Sequence, residues 1–212
     1  RFEDAAFDAG VDTETRHSLG ARFFGSAGPF DWNVEPIVQV GSFGDRDIAA
    51  WTIGTDWGAR LGQGRLAPRL GLRANVISGG SSDDTLRTFN ALFPNNSYFS
   101  EAALFAPANL IDVNPTLQIP VTEAIGFELL WDFLWRYDDG DAVYAPPGTP
   151  LLPSDSLASR YIGNTISING RWQTTPRTAI ATSYVHFEPS DSVRDAGGRS
   201  VDYVAVWFEL AF

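Results

Sequence analysis

From Ala124 to Asp138 the chain alternates with a period of two. Ile125, Phe127, Leu129, Trp131, Phe133, Trp135 and Tyr137 fall on one face, while Gly126, Glu128, Asp132, Arg136 and Asp138 fall on the other, interrupted only by Leu130 and Leu134. This periodicity predicts a long strand with two unlike faces. The closing segment repeats it, with Val204, Val206, Phe208, Leu210 and Phe212 on one face and Tyr203, Ala205, Trp207, Glu209 and Ala211 on the other. Similar alternation over Ser18–Phe24, Asp31–Gly41, Trp51–Arg60, Arg69–Val76, Asp112–Val121, Tyr161–Trp172 and Thr178–Phe187 brings the expected number of strands to nine. In Thr178–Phe187 the polar face is expected to hold Thr182, Tyr184 and His186.

Alternation alone fits a soluble sandwich as well as a membrane barrel, and two further features favour the barrel. Most of these segments exceed the roughly 5 to 6 residues usual in soluble sheets. Trp32, Trp51, Trp57, Trp135 and Trp172 lie towards segment ends, where the interfacial girdles of a transmembrane barrel sit. The fold expected is therefore all-β, an antiparallel transmembrane β-barrel with about 9–10 strands in this chain. Residues 1–212 are expected to form a single barrel domain or the C-terminal half of one.

Connection lengths give the barrel a direction. Counting back from the C-terminus, long links (188–200, 139–159, 79–109) alternate with short ones (174–177, 122–123, 62–66, 26–28), and 42–47 is of moderate length. Outer-membrane barrels have short periplasmic turns and long external loops, which puts Phe212 on the periplasmic side. Nine strands then start outside the cell, against the even count of bacterial barrels, so either an N-terminal portion is missing or Arg1–Val11 adds a short tenth strand.

Composition narrows the function classes. The 212 residues carry a formal charge of −11, and all fifteen basic residues are arginine, which argues against a nucleic-acid partner. Without cysteine there are no disulfides, thiolate metal sites or cysteine nucleophiles. Without methionine, Arg1 is expected to follow processing or truncation. The most apolar stretch, Ile125–Trp135, contains Glu128 and Asp132, so no helix of membrane-spanning length is expected.

The polar faces hold the candidate chemistry. Arg22, Arg60, Arg69, Arg73, Arg136 and Arg171 alternate inward beside Asp31, Glu35, Asp56, Asp112, Glu128, Asp132 and Asp138. A register shifted by one residue would put these charges in lipid, at about 2–4 kcal/mol per arginine near the midplane. A guanidinium offers a planar fork of donors that matches a carboxylate, so the six arginines are candidate substrate-binding residues; their alternative role is to neutralise the neighbouring acids. The long loop 79–109 opens on Gly79-Gly80-Ser81-Ser82-Asp83-Asp84 and continues with Phe89, Phe93, Tyr98 and Phe99; it either caps the barrel outside or folds into the pore.

Other motifs are weaker. Gly62-Gln63-Gly64-Arg65-Leu66-Ala67 has dinucleotide-like spacing but joins two strands. Asp138, Asp139 and Asp141 around Gly140 lack a full calcium loop and read as a solvated turn. His17 and His186 sit in no catalytic motif, Ser183 and His186 point to opposite strand faces, and His186 reads as a lumen residue paired with an acid. No enzyme activity and no cofactor are expected.

Several segments together resemble the alginate export family: Arg16–Gly20, Pro68-Arg69-Leu70-Gly71-Leu72, Thr88-Phe89-Asn90-Ala91-Leu92-Phe93-Pro94, Asn109-Leu110-Ile111-Asp112-Val113-Asn114-Pro115, and Trp135-Arg136 followed by Asp141-Ala142-Val143-Tyr144. The resemblance runs over roughly residues 13–212 and corresponds to the C-terminal half of such a barrel. It implies an outer-membrane pore of about eighteen strands, wide enough for an aqueous channel, in a Gram-negative outer membrane. Its cargo would be an anionic polysaccharide such as alginate, passing by passive, arginine-guided diffusion; a general small-solute or nutrient porin is the alternative. The partners implied are outer-membrane lipid, an acidic polysaccharide or small solute, and a missing N-terminal half, second chain or second copy. The terminal aromatic Phe212 resembles the insertion signal of such barrels.

Overall fold

The computed structural model describes every residue except Pro94, Asn96 and Phe212. Its strands are β1 (Phe2–Phe7), β2 (Gly10–Gly20), β3 (Phe23–Ala27), β4 (Phe30–Phe43), β5 (Arg46–Arg60), β6 (Arg69–Ile77), β7 (Thr85–Leu86), β8 (Leu110–Pro120), β9 (Ile125–Arg136), β10 (Val143–Ala145), β11 (Thr149–Leu152), β12 (Tyr161–Thr175), β13 (Thr178–Pro189) and β14 (Val201–Leu210). One short helix, α1 (Asp191–Asp195), lies in the last loop. The main sheet runs β1-β2-β4-β5-β6-β8-β9-β12-β13-β14, with β3 beside β4 and β7 parallel to β5. Each pairing along this path is antiparallel. The sheet is open, and β1 and β14 form its edges rather than joining to close a barrel.

The N-terminal segment does add a short tenth strand, since β1 pairs with the start of β2 (Ala5 opposite Asp12). The single strand expected over Ser18–Phe24 is instead two, β2 and β3, lying end to end along β4. They part at Ala21-Arg22, beside Pro36, which has no N–H to offer the ladder; the Ala21 N–H still donates to the Pro36 carbonyl at 3.1 Å. The link expected to span 42–47 shrinks to the two-residue turn Gly44-Asp45, with Gly44 at φ 54°, as a tight hairpin between long strands requires.

The two faces of the sheet invert the soluble pattern. One bears exposed Val38, Val40, Ile53, Trp57, Leu70, Leu72, Leu129, Trp131, Ile166, Ile168, Val204, Val206 and Phe208. The other turns Gln39, Arg69, Asn75, Asp112, Asn114, Thr116, Asp132, Thr165, Ser167 and Ser183 into buried positions. An exposed apolar face this wide over a polar interior suits lipid outside and water within. Aromatic side chains gather at both ends of the apolar face. The Trp131–Phe133–Trp135–Tyr161 row has centroid spacings of 4.8, 6.3 and 5.5 Å, and Trp32 and Trp57 face each other near the opposite end.

One face assignment is reversed. Thr182, Tyr184 and His186 lie opposite Val206, Val204 and Asp202, and so on the apolar face, whereas Ala179, Ala181, Ser183, Val185 and Phe187 turn inward. Loop residue Phe105 packs on Phe187 at 5.2 Å, and the crowded interior takes the smaller side chains of β13. His186 is therefore not a lumen residue, although it is paired with an acid: its Nδ1 lies 2.9 Å from Asp202 Oδ1, to which the Tyr184 hydroxyl donates at 2.7 Å.

The apolar core sits at the end where the long loops emerge. Phe7, Phe43, Ile48, Ile77, Leu110, Leu134 and Phe187 from the long strands pack with Leu86 of β7, Tyr144 of β10, and Phe89, Phe99, Phe105 and Leu157 from the loops. The loops thus form a packed cap over one end of the polar face.

Candidate functional site

Below that cap, charged side chains form a continuous band across β4, β5, β6, β8 and β9. The Arg69 guanidinium spans two acids, reaching Asp31 Oδ1 at 2.5 Å and Asp56 Oδ1 at 2.7 Å through Nη2. Arg73 continues the chain, from Asp56 Oδ2 at 3.3 Å to Glu128 Oε1 at 2.9 Å. Gln118 Nε2 also donates to Glu128 Oε1, at 3.1 Å. The band follows from registry, because Asp56 lies opposite Arg73 and Gln118 opposite Glu128 on one face. It also needs space, since a Cβ at Gly58 or Gly71 would overlap the Arg69 guanidinium.

All six candidate arginines lie on the polar face, but only Arg69 and Arg73 share a network. Arg60 lies opposite Arg69 on the neighbouring strand and is exposed. Arg171 reaches Glu209 Oε1 at 2.6 Å on the β14 side. Arg22 donates to Asn33 Oδ1 at 2.7 Å and stacks over Phe24, with its guanidinium carbon 5.2 Å from the ring centroid. Arg136 stands apart in the cap, where it donates to the carbonyls of Asp139 (2.8 Å), Asp141 (3.1 Å), Leu157 (3.2 Å) and Ser159 (2.9 Å).

Two recesses flank the band. Towards the short turns, a recess of about 910 Å³ is lined by Arg60, Arg69, Gln118, Glu128, Asn169 and Arg171, among others. Towards the cap, one of about 570 Å³ lies between Asp56, Arg73 and Asn75 on the sheet and Leu92, Tyr98 and Phe99 on the long loop. The Tyr98 hydroxyl donates to Asn75 Oδ1 at 2.8 Å, and burial pushes it up to about 12, so it remains a donor at neutral pH.

A second network ties the loop to the sheet. Gln39 exchanges hydrogen bonds with the Asn90 backbone (Nε2 to O 2.7 Å, N to Oε1 3.1 Å), and Asn90 Nδ2 donates to Glu14 Oε2 at 2.9 Å. Arg16 pairs with Glu14 and reaches the Thr88 carbonyl at 3.1 Å. Asp141 accepts from the Gly80 N–H (2.7 Å), Thr88 Oγ1 (2.5 Å) and the Tyr144 hydroxyl (2.6 Å). Asn109, at φ 49°, bridges Asp138 and Ala142. The solvated turn expected around Gly140 is thus only partly solvated: Asp141 is buried, with four donors, the Ala142 N–H among them, satisfying its carboxylate. Asp139 is exposed, and its hydrogen bond with Arg160 holds its carboxyl below the usual range. The Gly62–Ala67 segment forms a turn between β5 and β6 and opens no helix.

Alternation sets Asn75, Gly71 and Gln118 on the polar faces of their strands but gives them no role, because Asn75 and Gln118 carry no charge and Gly71, like Gly58, bears no side chain; Tyr98 lies in a loop. The one available signal was glycine recurring at inward positions next to an arginine. The segments Arg16–Gly20, Thr88–Asn90, Asn109, Arg136 and Asp141–Tyr144, far apart in sequence, converge in the loop cap.

The geometry is that of an open antiparallel sheet with an apolar face, a polar face and a charged band beneath folded loops. The sequence profile described as alginate export matches residues 3–207, and the chain belongs to that family. No curated protein sequence matches it significantly. The family is one of outer-membrane transport proteins rather than enzymes.

Proposed function

We propose that the chain lines a pore through which an acidic polysaccharide such as alginate leaves the periplasm by passive diffusion. The observation that carries this reading is the inverted sheet: exposed aliphatic and aromatic residues outside, and a band of paired arginines and acids inside. Arg60, Arg73 and Arg171, which are less enclosed than Arg69, present guanidinium groups to the two recesses. Arg73 and Arg171 are each paired with an acid, so there a uronate exchanges with an existing partner rather than filling an empty site. That keeps each contact weak enough to leave, as conduction requires. Arg69 and Arg136 hold the wall and the cap in place.

Ten strands closing alone would make a narrow barrel filled by side chains, whereas about eighteen enclose a water-filled channel. The unpaired edges β1 and β14 support a barrel completed by further strands, from an N-terminal half, a second chain or a second copy. The long loop over the polar face would act there as a gate.

Single-channel conductance in planar bilayers tests the reading. Polyuronate added to one side should block the wild-type current, and Arg60→Glu with Arg73→Glu should weaken that block about tenfold or more, at roughly 1.4 kcal/mol per decade. Wild-type current indifferent to polyuronate would instead favour a general solute porin.

A further inference from the structure

Charge is sorted along the strands as well as between the faces of the sheet. The links 61–68, 121–124 and 176–177 and the break at 21–22 lie at one end of the sheet, and the cap-forming loops lie at the other. At the short-turn end Arg22, Arg60 and Arg177 are exposed and make no ion pair among the described residues. The acids there already have arginine partners: Asp31 pairs with Arg69, Glu123 with Arg65, Glu128 with Arg73 and Glu209 with Arg171. Arg60, Arg65, Arg69 and Arg171 line the recess of about 910 Å³ at this end; Glu101 of the long loop also lines it and offsets one positive charge.

The loop end has the opposite sign. Asp45, Asp83, Asp84, Asp155, Asp191 and Asp195 are exposed there without an ion pair among the described residues, against exposed Arg87 and Arg199. Arg160 and Arg194 already pair with Asp139 and Glu188. Strand β5 connects the two ends with 15 residues, roughly 50 Å at about 3.3 Å per residue. Screening at physiological salt acts within about 8 Å, so each end presents its own charge rather than the average of the whole chain.

We propose that the short-turn end is a capture surface for a polyanion and that the acidic loop end repels one, so that the pore takes up its cargo from one side. The inference rests on the export reading, with the short turns facing the periplasm. Arg22 and Arg177 stand at the rim, Arg60, Arg65 and Arg171 in the recess, and Arg69 and Arg73 in the band, so a chain of carboxylates meets guanidinium groups from the mouth inward. Charge of one sign gathered at a mouth with low-dielectric walls raises association rates by about 10–10³. A fixed charge pattern does no work on the polymer. It sets how often a chain enters from each side, while the concentration gradient sets the direction of net flow, and the acids at the loop end slow re-entry.

Single-channel recording with polyuronate added to one chamber at a time, at equal and opposite voltages, tests the proposal; the chamber from which protease alters the current marks the loop side. At about 0.1 M KCl, blocks should begin about tenfold or more often from the short-turn side, and at about 1 M KCl the two sides should agree within about twofold. Neutral dextran of similar length should show no preference that salt removes. Arg22→Gln with Arg177→Gln should lower the frequency of block from the short-turn side severalfold while the duration of each block, set by the deeper arginines, stays the same. Asp83→Asn with Asp84→Asn should raise the frequency from the loop side. Equal frequencies from both sides at low salt, the same asymmetry with dextran, or a rim variant that alters duration rather than frequency overturns the capture surface and leaves the export reading standing. Absence of block from either side refutes the export reading itself. The small-ion current then decides the charge pattern, which requires rectification at about 0.1 M KCl that disappears at about 1 M; a symmetric current at low salt overturns it.

Discussion

Arg69 and Arg136 are both buried arginines, yet their guanidinium groups meet different chemistry. Arg69 is bound by carboxylates in the transport wall, and Arg136 by four backbone carbonyls in the cap. Arg136→Ala should therefore lower stability by at least about 2 kcal/mol, through carbonyls left without donors, while polyuronate block of the surviving folded protein is unchanged. Denaturant titration alongside conductance separates the two effects. Gly58→Ala should act on the other arginine, because a methyl where the guanidinium lies costs about 1–3 kcal/mol and displaces the Asp31–Arg69–Asp56 pairing. Its measurable sign is a lower unfolding temperature with altered ion selectivity. The charged members of this site were legible from strand parity. Gly71 and Gln118 were placed on the polar face by the same parity, but the part played by the glycines and Gln118 was not legible, because it depends on which residue a neighbouring strand places beside them.

Among the elements, the 78–109 connection differs most from what its sequence suggests. Its composition, with Gly79-Gly80-Ser81-Ser82 at its start, leaves open an external cap or an inward fold. In the structure it is held to the sheet through Gln39, Glu14 and Arg16, and Tyr98 reaches Asn75. Asn90→Ala combined with Gln39→Ala should loosen this attachment. Limited proteolysis should then cut faster within 87–99, and mean open-channel conductance should rise; unchanged cleavage would show that the apolar contacts of Phe89 and Phe99 suffice. Among strands, β9 followed its sequence closely, whereas β13 showed the opposite face to the one assigned. Strand β9 has six consecutive apolar residues in one parity, but β13 mixes Ala, Ser and Val with Thr, Tyr and His, and so weak a contrast leaves parity to its neighbours.

For the whole molecule, the apolar face gives the clearest prediction. Leu72→Arg or Ile168→Arg, both exposed on that face, should cost about 2–4 kcal/mol in lipid if the position lies near the midplane. Folding titrations into bilayers would measure it, and a negligible cost would argue against lipid contact there. The native mass of the detergent-extracted particle addresses closure. A second copy or companion portion should accompany the 23.1 kDa chain if about eighteen strands form the channel; a lone chain would weaken the export reading sharply. The role resembling an insertion signal assigned to Phe212 lies outside the described residues.

The sequence alone determined the strands, their long spans and the chemical difference between their faces, because a strand's side chains alternate whatever surrounds it. It also specified the family, through short segments scattered over most of the chain. Only the tertiary structure decided that Arg16, Thr88–Asn90, Asn109, Arg136 and Asp141–Tyr144 meet in one cap, that β2 and β3 share a single partner strand, and which inward arginine faces which acid. Those facts depend on register and on contacts between residues up to 146 positions apart, such as the Ser154 N–H donating to Asp8 Oδ2, and no local period encodes them.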